Sequence, residues 1–207
     1  MTSPGLLDIL AFGNFATALA ITPGPNNALA SITGVNFGWR SALPQACGVA
    51  LGCAGLLCAT AAGVGAMVAA VPGAALVLAL GGAGYLGWLG VRFLRGGTPA
   101  HAVAATARPP RFHEAVLFQA LNPKAWMTAL TASSAWVASS QGSVRVVAVL
   151  AALYAAICFP SILLWAMAGA TLRTRLGARG LDRFNRLAGG MLLATAAWLL
   201  AGHAALH

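Results

Sequence analysis

Long apolar runs separated by short clusters of charge set the pattern of this chain. Asp8 to Arg40 encloses 31 uncharged residues and Arg40 to Arg92 encloses 51. Glu114 to Arg145 encloses 30, interrupted by Lys124; Arg145 to Arg173 encloses 27, and 21 residues follow Arg186. A helix needs about 20 apolar residues to cross a bilayer. The 51-residue run therefore holds two spans, turning near Val71-Pro72-Gly73, and each other run holds one. The pattern predicts six transmembrane helices over 6–36, 42–69, 73–95, 113–136, 144–171 and 184–205. The runs are continuous rather than alternating and far longer than a barrel strand, which argues against a β-barrel. Ala18-Leu19-Ala20 looks like a cleavage site, but no basic residue precedes Arg40, so the first segment is expected to stay.

Composition sharpens this picture. Of 207 residues, 59% are hydrophobic and 7% charged, with a mean hydropathy of +0.82. A soluble domain carries about 25% charge, so an ordinary soluble enzyme, a disordered chain and a coiled coil are all excluded. The net charge of +9 marks topology rather than nucleic-acid binding, because the basic residues punctuate apolar runs. With six spans, one set of loops holds Arg40, then Arg92, Arg95, Arg108 and Arg111, then Arg173, Arg175, Arg179, Arg183 and Arg186. The other set holds Arg145 alone. The arginine-rich face is expected to be cytoplasmic and both termini periplasmic. The chain reads as a single transmembrane domain, 1–207, with halves of about 1–95 and 112–207 and a cytoplasmic linker at 96–111.

The halves share a pattern. Phe12 and Phe112 precede similar runs, and Pro23 and Pro123 each follow eleven residues later. Three spans is an odd number, so the second half would enter the membrane from the opposite side, an inverted repeat of the kind found in secondary transporters. The predicted fold class is all-α: a polytopic membrane protein of six transmembrane helices, two inverted three-helix repeats with helices 1 and 4 broken.

The candidate chemistry lies at those prolines. Thr22-Pro23-Gly24-Pro25-Asn26-Asn27 sits inside the first apolar run. Proline removes a backbone donor and clashes with the preceding turn. The freed backbone groups then have to face protein or a watery cavity. Asn26 and Asn27 open the second half-helix, where outward N–H groups favour an anion such as a substrate carboxylate. The alternative is a proline kink braced by asparagines. Asn122-Pro123-Lys124 repeats the break in span four. Lys124 lies roughly 15 Å along the helix from Glu114 at 1.5 Å per residue, which puts it near mid-membrane. A charge there costs about 2.5–3.5 kcal/mol on insertion scales, so it needs a cavity or a partner; snorkelling to an interface is the alternative.

Thr22 to Asn27, Gly38-Trp39-Arg40, Gly48-x-x-x-Gly52, Tyr85-Leu86-Gly87-Trp88-Leu89-Gly90 and Phe118-Gln119-x-x-Asn122-Pro123-Lys124-Ala125-Trp126 resemble the LysE/RhtB amino-acid exporters over nearly the whole chain. The resemblance implies a bacterial inner-membrane exporter of amino acids or their derivatives, driven by the proton gradient, with a site along the two broken helices. The expected substrate-binding set is Thr22, Pro23, Gly24, Pro25, Asn26, Asn27, Gln119, Asn122, Pro123 and Lys124. Lys124 is a like charge to a cationic substrate, so a neutral or small amino acid is expected. Asn14 and Gln119 are expected to face the interior, as substrate contacts or as interhelical hydrogen bonds.

Asp8 and Glu114, near the starts of spans one and four, are the candidates for proton coupling, or else plain helix N-terminal charges. Gly81, Gly84, Gly87 and Gly90 read as a packing stripe. A rival reading uses Cys58 and Cys158, 100 residues apart, as a membrane thiol–disulfide relay; a non-transporting scaffold is a second rival. The cysteine spacings fit no metal site. The histidines fall in loops or near the ends. No enzyme site, cofactor or nucleic-acid partner is expected; the partners are substrate, protons and the lipid bilayer, and a homodimer is compatible with such a bundle.

Overall fold

The computed structural model describes residues 4–71, 73–95, 108–138 and 142–204. Pro72, His101, His207 and most of the expected linker lie outside the described residues. The described elements are helical. They are α1 Leu6–Ile21, α2 Pro25–Phe37, α3 Leu43–Ala61, α4 Val64–Ala70, α5 Ala74–Arg95, α6 Phe112–Leu121, α7 Pro123–Ala132, α8 Val144–Arg175 and α9 Ala178–Ala204. A short 3-10 turn, Trp39–Ala42, leads into α3, and a π turn, Ser133–Val137, prolongs α7.

Among the described residues, four helical stretches are long and apolar enough to cross a membrane: Trp39–Ala61, Leu76–Leu94, Val144–Arg175 and Arg179–Ala201. The pair α1 and α2, bent by 54° at its break, makes a fifth as one span. The α6–α7 segment is not in that set. It carries Glu114, Gln119, Asn122, Lys124 and Thr128, so it is too polar to qualify by composition. The sequence expects one helix over 42–69, but the structure breaks it at Ala62 and Gly63, where Gly63 takes φ 90°. A left-handed residue suits glycine and ends α3. The last helix begins at Ala178 rather than 184, and an Asp182–Arg186 ion pair at 2.9 Å braces this charged first part. Pro160 does not interrupt α8.

The helix α8 is the central post, packed by α1, α2 and α3, while α5 and α9 pair separately. Phe12 meets Trp136 and Tyr154 edge-on at 5.6 and 6.2 Å, joining α1 to the π turn and α8. The tightest crossing is α2 on α8. A Cβ on Gly34 would lie 1.9 Å from the Ala166 carbonyl oxygen, and one on Gly169 would lie 2.1 Å from the Ser31 oxygen. Close backbone approach of this kind replaces the hydrophobic drive that lipid cannot supply. Gly48 and Gly52 hold α3 against α6 in the same way.

The expected stripe on α5 does not hold. Among the described residues Gly84 and Gly87 meet nothing, whereas Gly82 and Gly90 are pressed against Leu121 and against Gly189 with Leu193. A three-residue step turns only 300° around a helix of 3.6 residues per turn, so that series drifts off any single face.

Candidate functional site

Two helix breaks meet across the halves of the chain. In the first, Thr22 and Gly24 adopt extended backbone and Pro25 starts α2. In the second, extended Asn122 separates α6 from α7, which starts at Pro123. Each break strands carbonyls that a continuous helix would have used. Asn27, 4% exposed, donates from Nδ2 to the Ala20 oxygen at 2.7 Å and to the Thr22 oxygen at 2.9 Å. Ser161 of α8 also donates to the Ala20 oxygen, at 2.8 Å. Trp126 Nε1 does the same for Ala120 at 2.8 Å. These bonds meet the demand that backbone inside a membrane protein be satisfied internally.

Lys124 joins the two breaks. Its Nζ donates to the Thr22 oxygen at 2.7 Å, and its side chain fills the space beside Gly24, where a Cβ would lie 3.1 Å from Cδ. The two half-helix N-termini differ. Asn122 Oδ1 accepts from Lys124 N at 3.2 Å and so caps α7. At α2 the cap is Gly24 and no side chain caps it. The amides of Asn26 and Asn27 therefore open beside the Lys124 ammonium, and the field there favours an anion.

A cavity of about 40 Å³ lies between the breaks, lined by Gly24, Asn26, Asn27, Asn122 and Lys124 together with residues from α3 and α8. A water needs about 10–15 Å³ by this kind of measure, so the cavity admits a few waters and is closed to an amino acid in this conformation. One wall is an amide pair: Asn26 Nδ2 donates to Gln119 Oε1 at 2.9 Å, and Gln119 Nε2 donates to Asn26 Oδ1 at 3.2 Å. Interhelical hydrogen bonds in membranes average about 0.6 kcal/mol, so such a wall is easily opened. Thr22 and Pro23 are exposed and contribute through backbone; Pro25 is buried and Pro123 half-buried.

The structure relocates other expectations. Asn14 is exposed on α1 and does not face the interior, whereas Gln119 is buried. Asp8 accepts from Gly5 N at 3.2 Å, and Glu114 accepts from Arg111 N at 2.9 Å and pairs with Arg108. Both acids cap the first turn of their helices. Neither lines the central cavity. Cys58 is exposed, so it does not partner the buried Cys158. Cys53 and Cys158, both buried, line the cavity together. Tyr154 and Ser161 were missed as site residues, and Cys158 was named only for a thiol relay. Their spacing of four and seven places them on one face of an otherwise apolar helix, a signal present in the sequence.

The LysE type translocator family model matches residues 17–203. A cysteine/O-acetylserine efflux protein of Escherichia coli K12 is 31% identical over 170 residues, 81% of this chain and 84% of that protein. The corresponding protein of Shigella flexneri is 30% identical over 162 residues, 77% and 80% of the two chains. An uncharacterised membrane protein of Pseudomonas aeruginosa is 33% identical over 134 residues, 60% of this chain and 62% of that one. No solved structure matches. A match running from within α1, across both breaks, to the last turn of α9, over a helical membrane bundle, makes this chain a member of the LysE type translocators, a transporter family rather than an enzyme family.

Proposed function

We propose that this chain exports a small, uncharged-side-chain amino acid or amino-acid derivative across the bacterial inner membrane, by alternating access around the two breaks. In this reading the α-carboxylate docks on the open N-terminus of α2 and on Lys124. The observation that carries it is the Lys124 ammonium, 2.7 Å from the Thr22 oxygen and beside an α2 terminus that no side chain caps. No acidic residue lines the cavity, so a cationic side chain would meet only like charge. The relatives named for cysteine and O-acetylserine efflux point to the same class of substrate. The α6–α7 segment forms the sixth span, giving two inverted three-helix halves with both termini periplasmic. The proton gradient drives export, and Asp8 is the freer of the two acids to take part, since Glu114 is held by Arg108.

The test is efflux from cells preloaded with labelled cysteine, O-acetylserine or alanine, compared between parent and Asn26→Ala at equal membrane levels. Export per folded molecule should fall in the variant, and collapsing the proton gradient should stop export by the parent. Unchanged efflux in Asn26→Ala means that the carboxylate is held elsewhere.

A further inference from the structure

A second and larger cavity, about 510 Å³, lies one helix turn from the breaks, between α2, α5, α6 and α9. Asn26 lines the small central cavity, and Leu29, three residues along α2, lines the large one. The Asn26–Gln119 amide pair and the adjoining Phe118 stand between them. Arg92, Arg108 and Glu114 also line the large cavity, the last two paired with each other, so it opens toward the arginine-rich end of the bundle. Its volume is in the range of about 300–1,000 Å³ usual for small-molecule sites.

Its polar groups are unfinished. Asn185 is 2% exposed, and its Oδ1 has no hydrogen-bond partner among the described residues. Asn36 spends its Nδ2 on the Ile32 oxygen at 2.9 Å, and its Oδ1 has no partner either. Buried carbonyls of this kind are rare in native proteins and point to an absent donor. On the same cavity the Arg92 guanidinium stacks 4.9 Å over Trp88, beside Tyr85. A primary ammonium offers three donors and no acceptor. It suits an orphaned amide oxygen, as an anion suits a guanidinium and an apolar group the aromatic wall.

We propose that this cavity is a second amino-acid site, entered from the arginine-rich face and separate from the central one. Asn185 and Asn36 receive the ammonium, Arg92 the carboxylate, and Trp88 and Tyr85 an apolar or thioether side chain. Substrate waits here until the Asn26–Gln119 pair parts. This inference rests on the proposed amino-acid export, and it adds where substrate first binds and which side chains the protein accepts.

Equilibrium binding of tritiated leucine to the full chain tests it, in nanodiscs made without phosphatidylethanolamine. Saturable binding is expected, and N-acetyl-leucine, which lacks the ammonium, should not compete. Asn185→Leu should weaken binding by about tenfold or more, the scale of one charge-assisted hydrogen bond. Asn185→Asp keeps the volume and should tighten it, which keeps the test informative if the leucine variant folds poorly. Export by the parent is measured in parallel: leucine binding that responds to the Asn185 variants in a protein that exports nothing sinks the export reading alone, so failure of that reading and failure of this one are distinguishable. Absence of saturable binding, equal competition by N-acetyl-leucine, or unaltered binding in both Asn185 variants overturns the proposal. So does displacement of leucine by added phosphatidylethanolamine, whose headgroup has the same ammonium and anion and would make the cavity a lipid site.

Discussion

Lys124 is the residue on which chemistry and architecture can be separated. The Thr22 oxygen that it reaches also accepts from Asn27, so removing the ammonium leaves no orphaned carbonyl. Lys124→Met should therefore reach the membrane at parental levels while export falls roughly tenfold to a hundredfold, the scale of losing one charge-assisted hydrogen bond to a carboxylate. Quantitative efflux normalised to protein level checks this, and Lys124→Arg tests whether the larger planar group fits the cavity. Parental export by Lys124→Met would reduce the residue to packing. The same double coverage holds at Ala20, whose oxygen accepts from Asn27 and Ser161. Asn27→Ala and Ser161→Ala should each cost about 0.5–1.5 kcal/mol. Together they should cost more than their sum, because only the double variant strips the carbonyl. Thermal midpoints in detergent for the four members of that cycle decide it; simple additivity would mean that another group serves the carbonyl.

At the scale of helices, the crossing of α2 and α8 has no room for a methyl group on either side. Gly34→Ala or Gly169→Ala would drive a Cβ to about 2 Å from a backbone oxygen. Either should sharply reduce the yield of folded protein, whereas Gly84→Ala and Gly87→Ala, which meet nothing, should be neutral. Size-exclusion profiles of the four variants give the comparison, and equal profiles would remove the crossing as the organising contact. The glycines also mark how far the sequence could be read. Helix breaks at Pro23 and Pro123 were legible because proline acts on its own turn of backbone. Which glycines pack was not legible, since Gly34 and Gly87 differ only in what other helices bring to them. For the same reason Asn14 and Gln119 read alike in the sequence yet end on opposite sides of burial. The turn at Gly63 was hidden because glycine is common in continuous membrane helices. On the α8 side of the site, Tyr154 and Ser161 were overlooked within a 32-residue apolar helix and Cys158 was read only as a relay thiol, although their one-sided spacing was there to find.

For the whole molecule, the number of spans turns on α6 and α7. Arg173 Nη1 donates to the Asn36 oxygen at 3.1 Å, and Asn36 shares a cavity with Arg92, Arg108 and Asn185. The ends of α2, α5 and α8 and the start of α9 therefore lie at one end of the bundle. Arg145 is 28 residues back along α8 from Arg173, roughly 42 Å at 1.5 Å per residue, so it lies at the other end. The chain leaves α5 at the first end and enters α8 at the second, and α6 with α7 has to cover the distance between. From Phe112 to Val137 the segment has 26 helical or near-helical positions, enough for a hydrocarbon core of about 30 Å. Gln119, Asn122 and Lys124 lie at or beside the breaks, and with Glu114 they lower the apolar character of the segment. A re-entrant α6–α7 would instead put Arg173, Arg175, Arg179, Arg183 and Arg186 across the membrane from Arg92, against the usual bias of arginine to one side. In a background with all four cysteines replaced by alanine or serine, Arg111→Cys and Val144→Cys should therefore react from opposite sides. An impermeant maleimide should label Val144→Cys in intact cells and Arg111→Cys only after permeabilisation. Losing Arg111 leaves nine arginines against one, so the substitution does not itself remove the bias. Labelling of both positions from the same side would make the chain a five-span protein with a re-entrant hairpin, and the inverted repeat would go with it.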